Sequence, residues 1–124
     1  MKHIKASDIE EMEKIYRLNL VNSCTGYKSA NLIATRSKSG NNNVAVFSSV
    51  THIGSNPAML GFVTRPLSVA RNTYNNIRDT EYFTVNHIKD KMIEQAHQTA
   101  AKYEEEISEF NKTDLDEEYL DGFH

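Results

Sequence analysis

Only one cysteine, Cys24, occurs among the 124 residues of this sequence. A single cysteine excludes an intramolecular disulfide and any zinc site built from several thiolates. Long apolar runs are also missing, since the longest, residues 44–47 and 58–63, fall far short of the roughly 20 residues that a membrane-spanning helix needs. The first residues contain no apolar segment typical of a secretory signal. We therefore expect a cytoplasmic protein without a membrane partner, formed by one domain over residues 1–124.

Acidic residues are absent from Lys14 to Arg78, a stretch of 65 residues, although the whole chain has a net charge of −3. The same stretch holds eight cations and 23 Asn, Ser and Thr residues, a mixture of charge and directed donors that suits a phosphate group. Scattered, solvated cations are the alternative. A nucleic-acid surface is disfavoured because the domain is not strongly basic. Residues 104–124 contain nine acidic residues and one basic residue, a composition typical of a solvated terminus.

The motifs of several enzyme classes are missing as well. The five glycines are too widely spaced for a dinucleotide fingerprint or a Walker loop. The five histidines show no paired ligand spacing, so no metal site is expected. Cys24 has no second cysteine for a redox pair and is interpreted as a packing residue. Since no acid falls between residues 14 and 78, hydrolysis by a pair of carboxylates also lacks support.

Periodicity and turn signals predict an α+β fold. Strands are expected at residues 29–37, 43–51, 58–64 and 82–88, and helices at residues 7–20, from residue 66 onward, and at residues 89–103. The first helix is expected to be capped by Ser7 or Asp8. The first two strands form a hairpin across the turn at residues 37–42. Because the strand centres are apolar throughout, we predict burial on both faces, as in a small antiparallel barrel with peripheral helices.

A group of hydroxyl and cationic side chains is the best candidate for a site. Ser48 and Ser49 crowd the end of the second strand, although water could equally cap that end. Downstream, two arginines and a hydroxyl fall near a predicted helix start, where anions are favoured. Together the residues of this predicted monophosphate site are Ser48, Ser49, Arg65, Arg71 and Thr73.

Five segments of the sequence, in this order and at these intervals, resemble a known family. They are NLIAT at residues 31–35, NVAVFSS at 43–49, NP at 56–57, RNTYNNI at 71–77 and YFTVN at 82–86. Through these five segments the chain resembles flavin-reductase-like proteins. Their FMN-binding split-barrel fold is an antiparallel split barrel with peripheral helices. Asn72 stands where an aspartate is common in that family.

The resemblance implies a set of flavin contacts. It implies that Thr35 borders the isoalloxazine ring, that the flavin is contacted through backbone and hydroxyl groups by Val46, Phe47, Ser48 and Ser49, and that the phosphate is held by Arg65, Arg71 and Thr73. The implied reaction passes hydride from NADH or NADPH to FMN and the electrons on to an acceptor. Since the flavin carries the chemistry, no catalytic side chain is expected. The alternative is a non-catalytic flavin-binding or storage protein.

The resemblance extends from about residue 8 to residue 120, whereas family members continue with strands that complete the barrel. We therefore expect a barrel that is incomplete at its C-terminus. Open sheet edges invite pairing with another chain, so a homodimer is expected.

Overall fold

The computed structural model describes residues 3–64, 72–101 and 108–119. The helices are α1 (Ala6–Glu11), α2 (Lys14–Ser23), α3 (Asn72–Thr80), α4 (Ile93–Gln98) and α5 (Phe110–Thr113), with a 3₁₀ turn at Asp90–Met92. The strands are β1 (Asn31–Arg36), β2 (Asn42–Phe47), β3 (Thr51–Ser55), β4 (Ala58–Gly61) and β5 (Thr84–His87). No helix in these ranges is long and apolar enough to cross a bilayer.

The single N-terminal helix predicted at residues 7–20 is wrong, because two helices occupy this region. Glu13 separates them: its carboxylate accepts hydrogen bonds from Ile15 N at 2.8 Å and Tyr16 N at 3.0 Å and so caps a new helix. The predicted cap of the first helix is also displaced. The carboxylate of Asp8 lies inside α1 and reaches back to the N–H of Lys5 at 2.9 Å.

Three antiparallel strands form the main sheet in the order β2-β1-β5. The predicted hairpin at residues 37–42 is confirmed by the pairing of β1 with β2. The second predicted strand, residues 43–51, is wrong in its extent, because β2 ends at Phe47 and the chain bends before β3 begins at Thr51. Strand β3 pairs instead with β4 across a turn that contains a cis Asn56–Pro57 peptide bond.

Both faces of β1 are covered, as the apolar strand centres predict. Side chains alternate along a strand, and Leu32 packs with Val44 and with Ala96 of α4 on one face. Ile33 points to the opposite face, where α3 lies, and is fully buried. The predicted combination of antiparallel sheets and peripheral helices is confirmed. Within the described ranges the two sheets do not close into a barrel.

Candidate functional site

Four buried polar side chains hold α3 against the sheet. Thr35 and Asn43 lie opposite each other on β1 and β2 and share a face. Thr73 and Asn76, three residues apart on α3, face them from one side of the helix. The amide of Asn76 donates to the Thr35 hydroxyl at 3.1 Å, and the Asn43 amide lies 3.1 Å from the Thr73 hydroxyl. All four residues are less than a tenth exposed, so this cluster fixes the position of α3 on the sheet.

Glu109 extends this cluster to the edge of the sheet. The Asn43 amide nitrogen lies 2.9 and 3.3 Å from its two carboxylate oxygens, and the Asn43 oxygen accepts from Thr73 Oγ1 at 3.1 Å and from Val44 N at 3.2 Å. This orientation follows because a carbonyl oxygen facing a carboxylate would leave both without a donor. Burial raises the pKa of Glu109 above its ordinary value, against smaller opposing effects of its own backbone N–H and that of Val44.

A second group of predicted site residues lies at the other end of β2. The Phe47 ring packs edge-on against Phe62, with ring centroids 5.0 Å apart, and Phe62 packs in the same way against Phe83 at 5.3 Å. The side chain of Val46 turns to the opposite face, where it is partly buried against the core around Leu32. An apolar aromatic wall therefore stands beside the end of the strand.

The two predicted serines after β2 differ in their surroundings. The Ser49 hydroxyl accepts from Val63 N at 3.0 Å and donates to Val63 O at 3.3 Å. Ser48 is exposed. Ser49 therefore holds the fold, whereas Ser48 faces solvent.

The predicted site residues thus fall into two groups, one near each end of β2. Thr35, expected beside the flavin ring, lies with Thr73 and Asn43 near the start of β2, and residues 46–49 lie at its end. Ser48 lies five positions along the chain from Asn43, roughly 16 Å at about 3.3 Å per residue of extended chain. A ligand that contacts both groups must be elongated. The predicted phosphate contacts Arg65 and Arg71 lie outside the described residues.

An open cleft adjoins the group at the start of β2. Its volume is about 480 Å³, and its lining consists of polar residues from the β1–β2 turn, α3 and residues 108–117. Lining residues include Asn42, Asn43, Asn75, Asn76, Ser108 and Glu117. No cation belongs to the lining that the structure describes. Glu117 accepts from the Asn42 amide at 2.7 Å, so this cleft is an open, hydrogen-bonding surface.

The sequence analysis did not single out Asn43, Asn76 or Glu109. Asn76 lies within the RNTYNNI segment, and Asn43 begins the NVAVFSS segment, so the resemblance contained a signal for both. Glu109 carried none, because it belongs to the acidic stretch interpreted as a solvated terminus. That interpretation is wrong for Glu109, which is half-buried, whereas the acidic residues at positions 114 and 116–118 are exposed.

No group of three or more histidine, cysteine or acidic side chains in the described ranges could hold a metal ion. Comparison with sequence families gives a match to the family described as flavin reductase like domain, over residues 26–122. The chain belongs to the flavin reductase-like family. A comparison with curated proteins finds no match.

Solved structures agree with this family in fold. A Shewanella frigidimarina protein assigned as a flavin reductase with a split barrel domain is 42% identical, with a TM-score of 0.93 over 99% of this chain and 61% of that one. The 2-nitrobenzoate 2-nitroreductase of Pseudomonas fluorescens is 20% identical, with a TM-score of 0.80 over 98% of this chain and 57% of that one. Component B of nitrilotriacetate monooxygenase from Bacillus cereus is 18% identical, with a TM-score of 0.81 over 99% and 60%.

The last two likenesses concern the fold alone. This flavin reductase-like chain spans about 60% of the length of these relatives.

Proposed function

We propose that this flavin reductase-like protein binds FMN along β2 and catalyses hydride transfer from NADH or NADPH to it. The observation that carries the proposal is the division of the predicted site residues into two groups roughly 16 Å apart on one strand. One group contains the hydroxyl of Thr73 on α3, which suits a phosphate, and the other lies beside aromatic rings suited to a flavin ring. When bound, FMN supplies the redox chemistry by accepting hydride and passing electrons to an acceptor.

We place the phosphate end beside Thr73 on α3, and the resemblance assigns Arg65 and Arg71 to the same phosphate. A hydroxyl together with guanidinium groups supplies both the charge and the directed donors that a phosphate takes. Asn72, where related sequences have an acid, adds no negative charge there. These residues fit a monophosphate ester.

The ring end is formed by the backbone of residues 46–49. The Ser49–Val63 hydrogen bonds hold this bend in place, which leaves the exposed Ser48 hydroxyl and adjacent N–H groups to donate to a ring. Donors fixed in this way stabilise negative charge that develops on a reduced ring without having to reorganise. The edge-packed rings of Phe47 and Phe62 exclude water from one side.

We also propose that residues 1–124 form one domain and that the protein pairs as a homodimer. Large apolar side chains on β3 and β4 support this: Ile53 is 60% and Leu60 58% exposed. Exposed apolar surface of this kind marks interaction sites.

An absorbance spectrum from about 300 to 550 nm, recorded after incubation with FMN and desalting, tests the proposal. Retained flavin bands that bleach on anaerobic addition of NADH or NADPH are expected. Retained bands that no nicotinamide nucleotide bleaches would instead indicate the alternative function, a flavin-binding or storage protein. Protein that retains no FMN would contradict both.

A further inference from the structure

The direction of the hydrogen bonds in the Glu109–Asn43–Thr73 chain bears on phosphate binding. With Glu109 ionised, the Asn43 amide nitrogen donates to the carboxylate and the Asn43 oxygen takes the hydroxyl hydrogen of Thr73. A threonine hydroxyl has one hydrogen to donate. Thr73 therefore offers only lone pairs to any other group, and lone pairs repel a phosphate oxygen.

Protonation of Glu109 reverses this chain. A neutral carboxyl group has one O–H donor, which would face the Asn43 oxygen after the amide rotates by half a turn. The Asn43 nitrogen then donates to Thr73 Oγ1 over the same 3.1 Å. The Val44 N–H loses the Asn43 oxygen and keeps its hydrogen bond to the Glu109 carboxyl group. The Thr73 hydrogen becomes free to donate to a phosphate oxygen, and a negative charge near the phosphate is lost.

We infer that the protonation state of Glu109 sets whether the Thr73 hydroxyl can donate to the flavin phosphate, through the orientation of the Asn43 amide. This inference rests on the proposed function. It names a regulation of the same site, under which FMN binds more tightly as the pH falls through the titration of Glu109.

The surroundings of Glu109 couple its protonation to the hydrogen bonds with Asn43 and Thr73 and not to another charged group. Burial raises its pKa, and within the described residues no charged side chain contributes to that shift. The titratable or charged groups on the elements around it are Tyr74, Arg78 and Asp79 on α3, Glu94 and His97 on α4, Lys112 on α5, and Asp114, Asp116, Glu117, Glu118 and Tyr119 after it. Strand β2 carries no titratable side chain, so on this strand Asn43 is the residue that responds to the protonation of Glu109.

The first experiment follows the chain without ligand. A pH titration by NMR of the labelled protein records the Glu109 carboxyl carbon and the Asn43 side-chain amide together. One shared midpoint, above the ordinary carboxyl value of 4.5, is expected. An Asn43 amide whose signals do not change with the Glu109 carboxyl would overturn the inference.

The second experiment is a double-mutant cycle on FMN affinity, measured by flavin fluorescence from pH 5 to 8. Glu109→Gln does not titrate, and its amide can face Asn43 with either end. We expect it to bind FMN about tenfold more tightly than the unmodified protein at the highest pH, the lower limit for a hydrogen bond to a charged group. The two affinities should approach each other as the pH falls through the titration of Glu109.

Thr73→Val separates the hydroxyl effect from charge repulsion. In the Thr73→Val background, Glu109→Gln should give much less than the tenfold gain. The matched control is Thr80→Val on the same helix, whose hydroxyl bonds the Asn76 carbonyl at 2.8 Å, and it should leave the gain intact. An equal gain with and without Thr73 would show a charge effect only and overturn the inference. Protein that binds no FMN at any pH, with a shared NMR midpoint, would instead overturn the proposed function.

Discussion

The hydroxyl of Ser49 bonds both backbone groups of Val63, accepting from its N–H at 3.0 Å and donating to its carbonyl at 3.3 Å. This pair joins the bend after β2 to the chain that leaves β4, fourteen residues later. The Ser49 side chain supplies the hydrogen bonds that backbone pairing supplies within a sheet, because Ser49 lies between the end of β2 and the start of β3. The bend that exposes Ser48 therefore depends on Ser49.

We expect Ser49→Ala to lower the free energy of unfolding by about 0.5–1.5 kcal/mol, the net value of an ordinary hydrogen bond. Urea denaturation measures it. Ser48→Ala is the matched control and should change stability by less than about 0.5 kcal/mol, as for an exposed residue. Equal effects of the two substitutions would contradict the assignment of different roles to the two serines.

Asn76→Ala removes the donor that faces the buried Thr35 hydroxyl. We expect a loss of about 1–3 kcal/mol in the free energy of unfolding, since a buried polar group is left without its partner. Asn75→Ala, one position earlier and half-buried, is the control and should cost less. Thermal and urea denaturation both report the difference. A larger loss for Asn75 than for Asn76 would refute the attachment of α3 through the buried cluster.

Glu109→Gln should change the pH dependence of stability. The folded-state pKa of Glu109 is raised by burial, so the folded chain binds this proton more tightly than the unfolded chain. Its contribution to stability is therefore present at low pH and is lost as the pH rises from about the ordinary value of 4.5 through the folded-state value. The variant should lack this decline and be the more stable protein at neutral pH.

Urea denaturation from pH 4 to 8 measures that dependence. Glu94→Gln, on the exposed side of α4, controls for the general loss of one acid. A Glu109→Gln protein that keeps the full decline would show that other groups cause it.

Arg71→Ala tests the phosphate contact implied by the family. We expect FMN affinity to fall by about 1.5–3 kcal/mol, the range for a hydrogen bond to a charged group. Riboflavin, which lacks the phosphate, should bind the variant and the unmodified protein alike. Arg78→Ala is the matched control, because Arg78 pairs with Asp79 at 2.9 Å near the end of α3. Equal losses for FMN and riboflavin would place Arg71 elsewhere.

Patterns close together in the sequence were sufficient for much of the fold. The β1–β2 hairpin follows from two apolar segments around a Ser-Gly-Asn turn, and the antiparallel pairing of β1 with β2 confirms it. The break at Glu13 could not be predicted from propensity, because the residues on both sides favour helix. Whether Glu13 caps a new turn depends on the path of the chain before and after it. Strand β2 was predicted too long for a similar reason, since the bend after Phe47 is held by the distant Val63.

The sequence alone determined the composition of the site: a stretch of 65 residues without an acid, rich in hydroxyls and amides, with motifs of the flavin reductase-like family. These properties are local, and short segments are enough to establish them. Only the tertiary structure decided that Glu109 lies against that stretch, because a contact between residues 43 and 109 depends on the packing of α5 beside β2. It also decided that Thr73 and Ser48 lie near opposite ends of β2. The rise per residue along that strand, and not the number of residues between positions 48 and 73, sets their separation.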